Sequence, residues 1–278
     1  MTNLFTKRNG STLYKMGEVA VLKHNSIMRV CTVLLICVLS FPFHSNAQDI
    51  NLLTKEAEKL ESSFREYDAL QKYKEVLRHQ PINLNALCRA SDLCSRIGHR
   101  EESKAKRADY YKAARTYAEV ALKVNPQSAE ANFVMAVAMG RMAMISSGKD
   151  KVQYVNEIRK YAETTLKYDP NSFKAYHVLG KWNYEVSNLS PVERALAKLL
   201  FGGIPKASLQ DAIRYYEKSK SLESSFALNY LELAKAYHRN RQDDKAKELL
   251  KKLETLPNKI EDDARIKQEG KELLKELK

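Results

Sequence analysis

Along most of the chain, apolar residues recur at i, i+3, i+4 and i+7 in blocks long enough for helices, and a short polar mark closes each block. The marks are His79-Gln80-Pro81, Val124-Asn125-Pro126, Tyr168-Asp169-Pro170 and a looser Leu222-Glu223-Ser224. After each mark a similar block opens, at Asn85-Ala86-Leu87, Glu130-Ala131-Asn132, Lys174-Ala175-Tyr176 and Leu228-Asn229-Tyr230. A pattern that restarts at long intervals is internal repetition. It predicts stacked helix pairs, none of which can bury its apolar face alone.

The offsets of large and small residues within the blocks are those of the 34-residue tetratricopeptide unit. Tyr230, Leu233, Ala234 and Tyr237 take the first-helix positions of the last copy, Ala246, Leu250 and Leu253 those of its second helix, and Pro257 lies near the closing position. In the preceding copy Tyr176, Leu179 and Gly180 match, and Ala212, Tyr216 and Ser219 resume the pattern after about 20 extra residues. Two looser copies pair Ala86, Leu87 and Ala90 with Ala114, Ala118 and Ala121, and Ala131, Met135 and Ala136 with Ile158, Ala162 and Thr165. Small residues at Gly180 and Ala234 are expected to let two helices of a hairpin approach closely. Pro81 to Pro126 is 45 residues and Pro126 to Pro170 is 44, which predicts long loops in those units. The segment from Leu52 to Pro81 predicts a partial first unit, and Ile260 to Leu277, with Ile266, Leu273 and Leu277 on its dry side, predicts a cap. The expected fold class is all-α: a tetratricopeptide-like α-solenoid of about four to five helix pairs, with an inserted short helix and a C-terminal capping helix.

The insertion is readable residue by residue. Ser190-Pro191-Val192-Glu193 is a capping box with proline at the first helical position. Val192, Leu196 and Leu199 follow as a stripe flanked by Ala195 and Leu200, and Gly202-Gly203 and Pro205 stop the helix. The stripe predicts an ordered helix packed on the solenoid, with Trp182 a candidate anchor for it. Met135, Met139 and Met142 fall on one helix face and read as core, and the pairs Tyr110-Tyr111 and Tyr215-Tyr216 read as packing.

The N-terminal part differs. Met28-Arg29, the apolar run Val30 to Phe43 and Ser45-x-Ala47 have the three parts of a secretory signal peptide, with cleavage expected after Ala47. Residues 1–47 are therefore expected to be a leader with an extended n-region or a start placed too early, Met1, Met16 and Met28 all being candidates. Residues 48–278 are expected to form a single helical-repeat domain, exported to the periplasm or beyond and without an integral membrane span. Neither Cys31 nor Cys37 has the small residues before it that a lipoprotein signal needs. Removing the leader leaves 42 basic and 33 acidic side chains, so the mature chain stays basic. Such a field attracts acidic proteins or anionic headgroups, and export removes nucleic acid as a partner. Cys88 and Cys94, six residues apart on one helix, are too far apart for a disulfide and read as small buried residues. Nine Gly and seven Pro in 278 residues are fewer than a loop-rich all-β fold would need.

No H-E-x-x-H, paired C-x-x-C, P-loop or G-x-S-x-G occurs. Asp243-Asp244 and Glu261-Asp262-Asp263 sit at predicted helix starts, where they complement the macrodipole. No enzyme activity, cofactor or metal is expected. The informative surface is the groove lined by the first helix of each pair. Counting from Leu84, Ala129, Phe173 and Ala227, its positions 9 and 13 are Asp92 and Arg96, Val137 and Arg141, Lys181 and Glu185, and Lys235 and Arg239; Phe133, His177, Tyr184, Leu231 and His238 join them. The candidate binding set is Arg96, Phe133, Arg141, His177, Lys181, Tyr184, Leu231, Lys235, His238 and Arg239. It predicts a basic groove with an aromatic and aliphatic floor.

One stretch is more specific than a bare repeat. His177-Val178-Leu179-Gly180-Lys181-Trp182, then Arg194-Ala195-Leu196-Ala197-Lys198-Leu199-Leu200-Phe201-Gly202-Gly203 and Pro205, resembles the regulator of microtubule dynamics family. Ala136 to Arg141 and Asp169-Pro170-Asn171-Ser172 fit it as well, and the resemblance covers roughly residues 100–260. It implies an all-helical scaffold that binds other molecules and has no catalytic centre. The leader keeps the fold expectation and points to a secreted bacterial member, away from a microtubule-related role. The expected function is a non-catalytic interaction scaffold of the bacterial cell envelope, holding an acidic peptide or partner protein in the groove. The rival is a carrier of an anionic lipid or amphiphile in an apolar pocket beneath the inserted helix.

Overall fold

The computed structural model describes residues 45–277. The apolar run Val30 to Phe43 of the expected leader lies outside the described residues, and the expected cleavage point falls in the first turn of helix α1 (Ser45–Ser62). Residues Ile50–Lys278 form one compact unit, with its own buried apolar interior and hence what a domain needs to fold by itself.

Among the described residues there are twelve helices and no strand. α1 pairs with α2 (Glu66–His79), α3 (Leu84–Arg100) with α4 (Lys104–Val124), and α5 (Ala129–Ile145) with α6 (Gly148–Tyr168). α7 (Phe173–Ser187) pairs with α9 (Leu209–Leu222) around an inserted α8 (Pro191–Phe201), and α10 (Ala227–Arg239) pairs with α11 (Asp243–Thr255). α12 (Asp263–Glu276) ends the series as the cap. The polar marks in the sequence work as helix starts. Asn83, Ser128 and Ser172 each stand two residues after a proline, and each side chain accepts the amide of the residue three further on, supplying one of the orphan donors a helix start leaves.

Three expectations are corrected here. The first unit is complete, because α1 and α2 are joined through a tight turn at Ser63-Phe64-Arg65, with Phe64 in the left-handed region at φ 60°. The long units have no long loops: α4 and α6 run to 21 residues each, and only residues 101–103 and 146–147 connect the helices of those pairs. A longer helix satisfies its own backbone groups where a longer loop would leave them to water. Trp182 anchors its own helix rather than the insertion, its Nε1 donating to the Val155 carbonyl of α6 at 2.7 Å.

The interior is packed through the small and sulfur-bearing positions. A Cβ at Gly180 would stand 2.6 Å from the Tyr216 ring, so α7 and α9 meet at a distance only glycine allows. Met135, Met139 and Met142 are buried. Cys88 and Cys94 are buried free thiols, and burial pushes both up to about 12, which leaves no thiolate for redox chemistry near neutrality.

α8 is a helix for the reasons its sequence gives. Ser190 and Glu193 close a reciprocal capping box, and Gly202 ends the helix at φ 81°. Its orientation is opposite to the expected one. Ala197 is buried, Phe201 is half-buried in the lining of a surface depression beside α6, Asn156 of α6 donates to the Gly203 carbonyl at 3.2 Å, and the Arg194 guanidinium donates to the Val186 and Leu189 carbonyls. The predicted stripe therefore faces outward, with Val192 67%, Leu196 49%, Leu199 81% and Leu200 60% exposed. Periodicity marks an apolar face, but these tethers decide which side meets the neighbour.

Candidate partner-binding groove

The first helices of successive pairs bring their charged positions into two clusters. In the first, the Arg96 guanidinium of α3 holds Glu61 at 2.6 Å and Glu66 at 3.3 Å, with Asp92 at 3.7 Å. Arg89 also pairs with Glu61, and Arg100 holds Glu66 at 2.8 Å and Asp262 at 3.1 Å. Burial pushes the Glu66 carboxyl above its ordinary range despite Arg96 and Arg100. For Asp92 burial acts the same way but is outweighed, and Arg96 and Lys174 hold it below the usual value.

The second cluster centres on Glu232 of α10, which is buried. Its two oxygens take Lys181 of α7 at 2.7 Å and Lys235 at 3.0 Å. Lys181 also reaches Glu185 at 2.9 Å, and Lys235 reaches Glu269 of α12 at 2.6 Å. Burial opposes the charge on Glu232, yet the two lysines hold its carboxyl below the usual range. Both lysines are raised in turn, burial being outweighed by Glu232 and their second carboxylates.

Arg141 of α5 is different. Its Nε has no hydrogen-bond partner, its Nη1 touches only the Met144 sulfur at 3.8 Å, and it stands over the Tyr111 ring at 5.9 Å. Burial lowers its pKa. Next to it, burial and the charges of Arg141 and Arg265 push His99 down to about 4, so His99 is neutral at pH 7.

The remaining predicted residues separate. Phe133 is buried under the Lys174 ammonium, 5.0 Å from its ring centroid. Tyr184 is half-buried beneath Arg239 at 4.9 Å, and Arg239 donates to the Tyr184 carbonyl and the Ser187 hydroxyl at 2.8 and 3.1 Å. With Phe133, two further residues expected on the groove surface lie in the interior instead. Leu231 is 1% exposed. His177 is buried, its Nδ1–H donating to Asn229 Oδ1 at 3.0 Å while Asn229 Nδ2 donates to the Tyr216 carbonyl at 2.9 Å, and burial holds its pKa below the ordinary value. His238 is exposed, paired with Asp243 at 2.8 Å at the turn between α10 and α11.

The sequence reading missed Glu61, Glu66, Glu232, Asp262 and Glu269, which offset much of the predicted positive charge. Only Glu232 left a local trace, three residues before Lys235. The others act through distant elements: the Glu66 amide donates to Glu261 at 3.4 Å across 195 positions of sequence. The start of α12 thereby joins the first pairs to the last. No group of three or more metal-ligating side chains gathers among the described residues, and none of their helices is long and apolar enough to cross a membrane.

The profile of the family described as regulator of microtubule dynamics protein 1-3 matches residues 53–278. The chain belongs to that family. Among its relatives, bovine regulator of microtubule dynamics protein 2 is 26% identical over 230 residues, covering 82% of this chain and 54% of that protein. Rat regulator of microtubule dynamics protein 3 is 24% identical over 233 residues, covering 82% of this chain and 49% of that one. The chain thus spans about half the length of these relatives. A thermophilic tetratricopeptide-repeat protein of Thermus thermophilus superposes with a TM-score of 0.59 at 13% identity, over 81% of this chain and 98% of that one, and shares the fold. The family match and this likeness together give the chain a tetratricopeptide-type helical-repeat fold.

Proposed function

We propose that the protein is an exported bacterial scaffold that holds an acidic peptide or partner protein against the first-helix face, with Arg141 receiving a carboxylate of the partner. The observation that carries this reading is the pairing pattern. Arg96, Lys181 and Lys235 already have carboxylates within the chain, whereas Arg141 has no anion of its own; its Nε, like that of Arg96, is buried without a hydrogen-bond partner. A guanidinium left without its bidentate partner is the group that an incoming carboxylate satisfies best. The Tyr111 ring beside it is fully buried and backs the guanidinium from within the chain.

The carrier reading draws less support. It needs an apolar space beneath α8, where the surface is an open depression of about 330 Å³ lined by Lys149, Gln153, Asn156, Glu157, Lys160 and Phe201. Phe201 is the single apolar residue in that lining.

The test is a crosslinking capture from the cell envelope with wild type beside Arg141→Gln. Reversing Lys181 and Lys235 would be a poor substitute, because it surrounds Glu232 with carboxylates and disturbs the fold. Capture lost in Arg141→Gln with the helical circular-dichroism signal intact supports the groove, and undiminished capture rejects it. Mass spectrometry of the exported chain tests the localisation, the expected N-terminus being Gln48.

A further inference from the structure

α8 carries its apolar residues on the side turned away from the rest of the protein. Ala197, Phe201 and the tethered Arg194 occupy one side of the helix, and Val192, Leu196, Leu199 and Leu200 occupy the opposite side, at half to four-fifths exposure. Nothing in the repeats requires this. A helix held by a capping box and a glycine stop would form as readily with glutamines or lysines there, and exposed aliphatic side chains in one contiguous patch mark a contact surface.

The surroundings choose the partner. Segments 148–160 and 188–207, which form α8 and the part of α6 beneath it, hold seven Lys and Arg against three Asp and Glu. One of those three, Glu193, has its carboxylate engaged by the Ser190 amide in the capping box. Lys149 and Lys160 line the depression beside Phe201, and Lys198 is exposed on α8 itself. The apolar face is also too small for a stable dimer: four such side chains offer on the order of a few hundred Å², against the roughly 800 Å² per partner of a standard interface. It presents no exposed Trp, Tyr or Arg anchor of the kind that dominates protein contacts. An 11-residue helix, about 16 Å long, with leucines on one side and basic groups around it is suited to lie flat in a headgroup layer.

We infer that α8 is a membrane-docking element, which seats the protein on an anionic bilayer surface by burying Val192, Leu196, Leu199 and Leu200 among the headgroups while the neighbouring lysines pair with lipid phosphates. The inference is independent of Arg141 and of the proposed partner. Seating by α8 is peripheral and reversible, and weakens as salt screens the lysines.

The experiment is co-sedimentation of the chain from Gln48 to Lys278, which contains the whole compact unit and leaves out the apolar run Val30 to Phe43, itself able to bind vesicles. Vesicles of phosphatidylcholine mixed with phosphatidylglycerol are compared with phosphatidylcholine alone, for wild type and Leu196→Glu/Leu199→Glu. Both substituted side chains are exposed, so the variant is expected to keep its helical signal and melting midpoint. The expected result is salt-sensitive binding to the mixed vesicles only, weakened about tenfold or more in the variant, a change that corresponds to at least one RT ln 10 step. Equal binding by the variant, equal binding to both vesicle types, or no binding to either overturns the inference. So does a wild-type dimer in sedimentation equilibrium that the substitutions abolish, which would give this face to a second copy.

Discussion

α8 and α12 are both short helices added to the repeat pairs, of 11 and 14 residues, and both have an apolar stripe, yet they end in opposite situations. The stripe of α12 is covered: Ile266 is buried and Gly270 sits against Leu253. That of α8 is open to solvent. Their local encoding runs the other way. α8 has a complete capping box and a left-handed glycine stop, whereas the N-cap residue of α12, Asp262, makes no side-chain capping bond and pairs instead with Arg100 and Arg265. Local signals therefore make α8 a helix without deciding what its stripe meets, while tertiary contacts place α12 where local signals are weak.

The comparison breaks most sharply at Ile266. Ile266→Ala leaves a cavity between α12 and the last pair, and a loss of about 2–5 kcal/mol in unfolding free energy is expected. Urea denaturation followed by circular dichroism measures it. A loss under about 1 kcal/mol would mean that α12 is not docked as described.

A smaller loss separates apolar from ionic attachment. Glu232→Gln removes the carboxylate shared by Lys181 and Lys235, leaving Lys235 with Glu269 and Lys181 with Glu185. Removing one member of a buried pair costs about 3–5 kcal/mol, but Lys181 is 43% exposed, and water screens what remains, so about 1–3 kcal/mol is expected. A double-mutant cycle with Lys235→Met checks whether the energy lies in that pair. Zero coupling would place the loss in the contact of Glu232 with Lys181 of α7 instead.

How far the sequence could be read divides along the same line. Repeat phase, the helix starts at Asn83, Ser128 and Ser172, the capping box of α8 and the buried methionines are local or periodic features, and a local pattern records them. The contact between Glu66 and Glu261, or Arg100 with Asp262, depends on how five stacked pairs accumulate their displacement, which no window of sequence contains. The same holds for the groove. Its first-helix positions were legible from register, so Arg96, Arg141, Lys181 and Lys235 could be named. Each of three of them is also met by a carboxylate from another helix, Glu61 and Glu66 for Arg96, Glu232 for Lys181 and Glu269 for Lys235, and the depth that hides His177 and Leu231 depends on the packing of α7 against α10.

Protonation at the start of α12 gives a third contrast. His99 faces Arg141, Arg265, Asp262 and Arg107. Its pKa is depressed from 6.5 to about 4, so the unfolded chain binds the proton more readily than the folded one. Stability from this group is fully present above pH 6.5 and is lost as pH falls toward 4. At about 1.4 kcal/mol per unit, reduced because His99 is partly exposed, the loss is about 1–2 kcal/mol. Carboxylates titrate in the same window, so the informative quantity is the difference between wild type and His99→Gln, measured as urea midpoints at pH 7 and pH 4.5. Parallel decline in both proteins would remove His99 from the account.

The smallest effect is expected at the other helix, and its smallness is the point. Leu199→Ala removes a side chain that is 81% exposed, so almost no buried area is lost, and alanine favours the helix slightly more than leucine does. The unfolding free energy should move by less than about 0.5 kcal/mol in either direction, against the several lost at Ile266. Thermal melting in dilute solution, with no lipid present, measures it. A loss above about 1 kcal/mol would mean that Leu199 is covered in the free protein, and the contrast between the two helices would then rest on their local encoding alone. A neutral result leaves the stripe of α8 without a role in folding, so that whatever keeps leucines there acts through a surface outside the chain.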